Sequence, residues 1–197
     1  MGIDKNQIKE IFENRSYQKD LMLSDIPDIN LYIDQITTLF ENKLGDSKRT
    51  QDDKILTKTM VNNYSKEGIL RPVKGKKYDK EHILQMSMIY LMKQTLSIQD
   101  IKKIFCSTSL NDIPTYTGAY EKYCEIKSER TQKLLSQLNA FIDTVDTQND
   151  EEILALILFF CNFSTIIKNA VETIIDRNFE EAKPVKDKKQ KSEGKDE

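Results

Sequence analysis

The sequence predicts an all-α chain carrying one small β wing, and three observations point there. Lys, Glu, Ile, Leu and Gln dominate the periodic stretches, whereas only 6 Gly and 4 Pro occur in 197 residues and Trp is absent. Apolar residues recur at three- and four-residue spacing over long segments. One short stretch between them, residues 71–78, reads Arg-Pro-Val-Lys-Gly-Lys-Lys-Tyr, too rich in Pro and Gly for a helix, and suits two brief extended arms around Gly75. With 38% hydrophobic and 31% charged residues, the composition is that of a soluble globular protein able to bury a core.

The elements follow in order. A short helix is expected over 3–12 and a second over 28–44, where Ile29, Ile36, Leu39 and Phe40 recur at helical spacing and Pro27 stands in a first-turn position. Residues 45–55, polar and charged, read as an exposed loop. A third helix, 57–67, has Thr57 as its N-cap, Met60, Val61 and Tyr64 on one face, and Gly68 placed to end it in a left-handed conformation. Asp79 then caps a helix reaching about Leu96, with Ile83, Leu84, Met88, Ile89 and Met92 inward. Ser97 caps another through Phe105, with Asp100 in the capping-box position. Residues 111–118 break the pattern, and two longer helices, 120–145 and 150–179, flank the polar turn 146–149. Residues 183–197 alternate Lys with acids and lack apolar anchors, so disorder is expected there. The chain divides into an extension (1–24), a helix-turn-helix domain with its wing (25–110), a helical region (111–182) and a charged tail (183–197).

Several function classes fall away. Cys106, Cys124 and Cys161 are odd in number and widely spaced, and His82 is the only histidine, which argues against a disulfide framework or a zinc site. The cysteines read as buried structural residues, and His82, beside Glu81 at a helix start, as exposed or partly packed. No glycine-rich phosphate loop, nucleophile–histidine pair, H-E-x-x-H or carboxylate cluster is present, so neither an enzyme nor a cofactor or metal is expected. Residues 1–13 lack a secretory pattern, which places the protein in the cytoplasm. The apolar run 154–161, extended to Ile167 through Asn162, Ser164 and Thr165, reads as a buried helix with no membrane partner.

Charge is distributed unevenly. Residues 54–103 carry eleven Lys or Arg against four acids, a net +7 within a chain of net −2. Fixed cations concentrated in this way release counterions from a phosphate backbone, so the island marks a polyanion-binding module. A solvated lysine face is the competing reading.

The informative string is residues 56–72, Leu-Thr-Lys-Thr-Met-Val-Asn-Asn-Tyr-Ser-Lys-Glu-Gly-Ile-Leu-Arg-Pro. It resembles the recognition helix of MerR-like transcriptional regulators: an apolar residue, Ser/Thr, a short helix ending in Tyr, then Gly, two apolar residues, a basic residue and Pro. Lys77-Tyr78-Asp79, Ile83 and Ser97 to Ile101 stand where that family has its wing, the following helix and a further helix start. The chain is also similar, through residues 25–36 and 53–64, to a bacterial family catalogued as domain of unknown function 1836. The MerR resemblance implies a winged helix-turn-helix that binds duplex DNA as a dimer. Thr59, Asn62, Asn63 and Lys66, at i, i+3, i+4 and i+7, would meet base edges, while Lys58, Arg71, Lys74, Lys76 and Lys77 grip phosphates. Two departures stand out. Asn62-Asn63-Tyr64 replaces the usual Arg-Tyr-Tyr, leaving asparagine to pair with adenine, and the loop 45–55 far exceeds a helix-turn-helix turn.

For the C-terminal half the expectation is a homodimer. Leu134, Leu138, Phe141 and Val145 alternate four-three-four, a short coiled-coil seam, and Leu156 and Phe159 lie on a helix apolar on nearly all sides. The same helices could enclose a small apolar effector, with Tyr116, Tyr120, Tyr123 and Phe163 as lining candidates. An oligomeric interaction module that keeps the winged scaffold without contacting DNA is the alternative function.

Overall fold

In the computed structural model, which describes residues 3–14, 19–73, 75–107 and 113–179, polar caps set most of the element boundaries. Asp4 caps α1 (Lys5–Glu13) in a capping box with Gln7, Thr57 caps α3 (Lys58–Lys66), Asp79 caps α4 (Lys80–Met92), and Ser97 caps α5 (Ile98–Cys106) in a box with Asp100. Each side chain satisfies an N–H that the first turn leaves without a partner. Asn149 does the same for α7 (Asp150–Asn178), which follows α6 (Ile113–Asp143) across a polar turn. The chain is mostly helical with one small sheet, as the sequence predicts.

Three boundaries differ from expectation: α4 stops at Met92, short of Leu96, and two others have a physical cause in the sequence. Helix α2 covers Ile33–Leu44, not 28–44, because the preceding Leu31–Tyr32 is strand β1 and Gln35 Oε1 accepts from the Tyr32 N–H at 2.9 Å to start the helix there. Pro27 therefore lies ahead of the helix, and Ile29 faces solvent. Strand β2 (Lys77–Tyr78) pairs antiparallel with β1, Leu31 opposite Tyr78 and Tyr32 opposite Lys77. Residues 77–78 thus lie against the segment before α2 and not against residues 71–73. At the other boundary, α6 begins at Ile113 and runs through Gly118. Pro114 falls in its first turn, where no intrahelical N–H is required, and a single glycine costs a 31-residue helix only about 1 kcal/mol.

The main core joins α2 to α6. Ile36 and Phe40 of α2, Val61 and Tyr64 of α3, Ile83, Leu84 and Ile89 of α4, Ile101 and Phe105 of α5, and Tyr116 and Tyr120 of α6 form one buried cluster. The segment entering this core is strapped to α6: Tyr120 Oη donates to the Leu21 carbonyl at 2.8 Å, and Tyr123 Oη to Asp20 at 3.0 Å. Burial pushes the Tyr120 phenol up to about 12. A second, smaller cluster of Ile8, Ile142, Val145 and Leu156 gathers α1, the end of α6 and the start of α7. Beyond it α7 is largely exposed, so the expectation of a buried helix is corrected; by length and composition Asp150–Asn178 could cross a membrane. The cysteines also depart from expectation, Cys106 and Cys124 being partly exposed and Cys161 exposed. The expected disorder of 183–197 lies outside the described residues.

Candidate nucleic-acid interface

Helix α3 is short, and what orients it is its burial on one side. Thr57 Oγ1 accepts from the Met60 N–H at 3.2 Å, Val61 and Tyr64 are buried, and loss of water raises the Tyr64 phenol above its ordinary range. Before the helix, Lys93, just past the end of α4, donates to the Ile55 carbonyl at 3.0 Å, and burial lowers its ammonium from the ordinary lysine value. Behind it, Gly68 takes φ +72°, which lets the Ile69 and Leu70 N–H groups fold back onto the Tyr64 carbonyl at 2.9 and 3.1 Å. The helix is thus gripped at both ends and on one face.

On the opposite face Thr59, Asn62, Asn63 and Lys66 are all exposed, and among the described residues their side chains make no hydrogen bond or ion pair. Lys58, Lys76 and Lys77 are exposed as well, with Lys77 Nζ lying 5.1 Å from the centre of the Tyr32 ring. Lys74 lies outside the described residues. The one acid just past α3, Glu67, is paired with Lys102 at 3.1 Å, which reduces its opposition to the local positive field.

Arg71 stands apart from these lysines. Its Nη2 donates to Asp79 Oδ1 at 2.5 Å and sits 3.3 Å from His82 Nδ1, with its side chain only 18% exposed. The same Asp79 oxygen accepts from the His82 backbone N–H at 3.0 Å and faces the His82 ring at 2.7 Å. Burial works against the Asp79 carboxylate, yet His82 and Arg71 together outweigh it and hold the carboxyl below its usual range. His82 is buried, contrary to expectation, because its ring closes this cluster against the Pro72 carbonyl at 3.3 Å. Sequence reasoning missed Gln85. Buried on α4, it donates to the Ile69 carbonyl at 2.8 Å and accepts from the Arg71 N–H at 3.2 Å, tying residues 69–71 to the core. A polar residue set among the apolar positions of α4 from Ile83 to Met92 was the available signal.

The C-terminal candidates divide. Val145 and Leu156 are buried within the chain's own second cluster. Leu138 is half-buried, while Leu134, Phe141 and Phe159 are exposed, the rings of Phe141 and Phe159 lying 4.9 Å apart. Tyr116, Tyr120 and Tyr123 belong to the main core, whereas Phe163 is exposed and stacks on Phe159, so these four do not line one effector pocket.

No curated protein and no solved structure matches the chain. Residues 21–123, which hold α2 to α5, the two-strand sheet and the first part of α6, match the family model described as Domain of unknown function (DUF1836). That match covers just over half of the sequence, and the chain belongs to this family.

Proposed function

We propose that the chain is a DNA-binding regulator of MerR-like type that lays α3 in the major groove of duplex DNA. The observation that carries this reading is the division of α3 into two faces. Val61 and Tyr64 fix the helix to the core, and Thr59, Asn62, Asn63 and Lys66 are left outward with no protein partner among the described residues. Amides and hydroxyls presented in this way have the donors and acceptors that base edges require, and asparagine pairs bidentately with adenine. The ladder between β1 and β2 supports the winged reading of residues 71–78, because it sets a basic turn beside the start of α2. Arg71, held by Asp79, is assigned to positioning the wing, and the phosphate grip falls to Lys58, Lys76 and Lys77.

The test is selection of bound fragments from genomic DNA, followed by titration against salt. An enriched sequence is expected, with affinity falling steeply as salt rises. Replacing Lys58, Lys76 and Lys77 together by Ala should flatten the logarithmic salt slope by about 2 to 3, since each neutralised phosphate contributes about 0.9. Asn62→Ala should instead relax the preferred sequence at one position. No enriched sequence, or a slope unmoved by the triple substitution, sinks the reading in favour of an interaction module.

A further inference from the structure

Helix α7 leaves a surface that the rest of the fold does not use. Its 29 residues extend about 43 Å and are fastened at both ends to the same chain. Near the start, Ile153, Leu156 and Phe160 pack in the second cluster; near the end Ile175 is buried and Asp176 pairs with Lys103 of α5 at 2.9 Å. Between these anchors Phe159, Phe163, Ile166, Ile167 and Ile174 are 46–57% exposed. With Phe141 of α6, whose ring lies 4.9 Å from that of Phe159, side chains of this size present roughly 600 Å². That stands at the top of the ~300–600 Å² range of the largest apolar patch on ordinary monomers and is most of the ~800 Å² that each partner gives to a standard interface.

The sequence along the stripe identifies what covers it. Glu152, Phe159, Phe163, Ile166, Ala170 and Arg177 follow one another at intervals of 7, 4, 3, 4 and 7 residues, the repeat of a coiled-coil seam. Turned end for end about a twofold axis between Ser164 and Thr165, the stripe is complementary to itself. Phe163 then meets Ile166 of the second copy, Phe159 meets Ala170, large against small, and Glu152 meets Arg177 at both ends. A parallel alignment would set Glu152 against Glu152 and Arg177 against Arg177. We propose that two copies of this chain pair through α7, antiparallel and in this register. The exposed seam that the sequence suggested on α6 is then secondary, since Val145 is taken up within its own chain. A bilayer fits α7 less well, because both of its ends are docked on protein and the Lys168–Glu172 pair, at 3.7 Å, stands inside its length.

Sedimentation of the full chain without DNA tests this separately from the DNA reading. A dimer of the 23.0 kDa chain is expected at micromolar concentration, and Phe163→Glu should give a monomer with an unchanged far-ultraviolet spectrum. Glu152→Arg and Arg177→Glu alter exposed positions; Glu152 also accepts from the Asp146 N–H at 2.6 Å, so the far-ultraviolet spectrum of each variant is checked beside its sedimentation. Each alone places like charges together twice and should weaken self-association about tenfold or more. Mixing the two single variants, or combining both changes in one chain, should restore it. A wild-type monomer at every concentration overturns the proposal, and so does a monomer that co-sediments with phosphatidylcholine–phosphatidylserine vesicles. A dimer indifferent to both charge reversals overturns the register and with it the pairing through α7.

Discussion

One Asp79 oxygen accepts from Arg71 and from the His82 N–H and faces the His82 ring, and its titration should show in the stability of the protein. Its folded-state carboxyl titrates below its ordinary value, so the contribution is fully present above the unfolded pKa, near 4, and is lost as pH falls through the depressed value. Asp79→Asn keeps a capping oxygen but removes the charge. Thermal melts between pH 7 and pH 3 should fall more steeply for the wild type than for the variant, and parallel curves would contradict this account. Gly68 offers a cleaner backbone test. Nothing lies within 4 Å of a Cβ built on it, so Gly68→Ala should cost only the left-handed conformation, about 1 to 2 kcal/mol in denaturant unfolding. The cap and the glycine were both legible in the sequence, because their signals are local. The partner of Asp79 was not. Arg71 sits eight residues earlier in a basic run, and nothing local distinguishes a guanidinium that faces solvent from one folded back onto the start of α4.

Among the elements, those with a local cause were read correctly and those with a distant cause were not. Helices α3, α4 and α5 begin where Thr57, Asp79 and Ser97 cap them, as three short polar residues before apolar periodicity imply. Strand β1 is two residues long, and its partner Tyr78 lies 47 positions beyond Leu31, so the run from Ile29 to Phe40 looked like one helix. The path of the chain after α3 depends on Gln85 in the same non-local way. Replacing it with Leu would keep the volume and leave the Ile69 carbonyl and the Arg71 N–H without their partner. A cost of about 2 kcal/mol is expected, and hydrogen exchange should quicken at Arg71 ahead of the α4 amides. A neutral substitution would mean that water reaches both groups.

Over the whole molecule, stability should be uneven because the two cores differ in size. The main cluster draws on five helices and both flanking segments, whereas the second holds only four buried apolar residues, from α1, α6, the turn after α6, and α7. Polar contacts fasten α1 further: Lys5 donates to the Asp143 carbonyl at 2.9 Å, Lys9 pairs with Asp143 at 2.5 Å, and Asn139 donates to Glu13 at 2.7 Å. Such exposed pairs are worth about 0 to 1 kcal/mol each, so the apolar residues decide whether the end stays closed. Ile142 is completely buried at their centre, and Ile142→Ala should remove about 2 to 5 kcal/mol from that cluster. If the far end opens as its own unit, amides of α1 and of the turn between α6 and α7 will lose protection in the variant while those of α2 to α5 keep theirs. Uniform loss across the chain would instead mean that α6, which runs from one core to the other, couples them into one cooperative body. Opening of the far end would also release the start of α7, so the same variant should weaken self-association without touching the seam between Phe159 and Ala170.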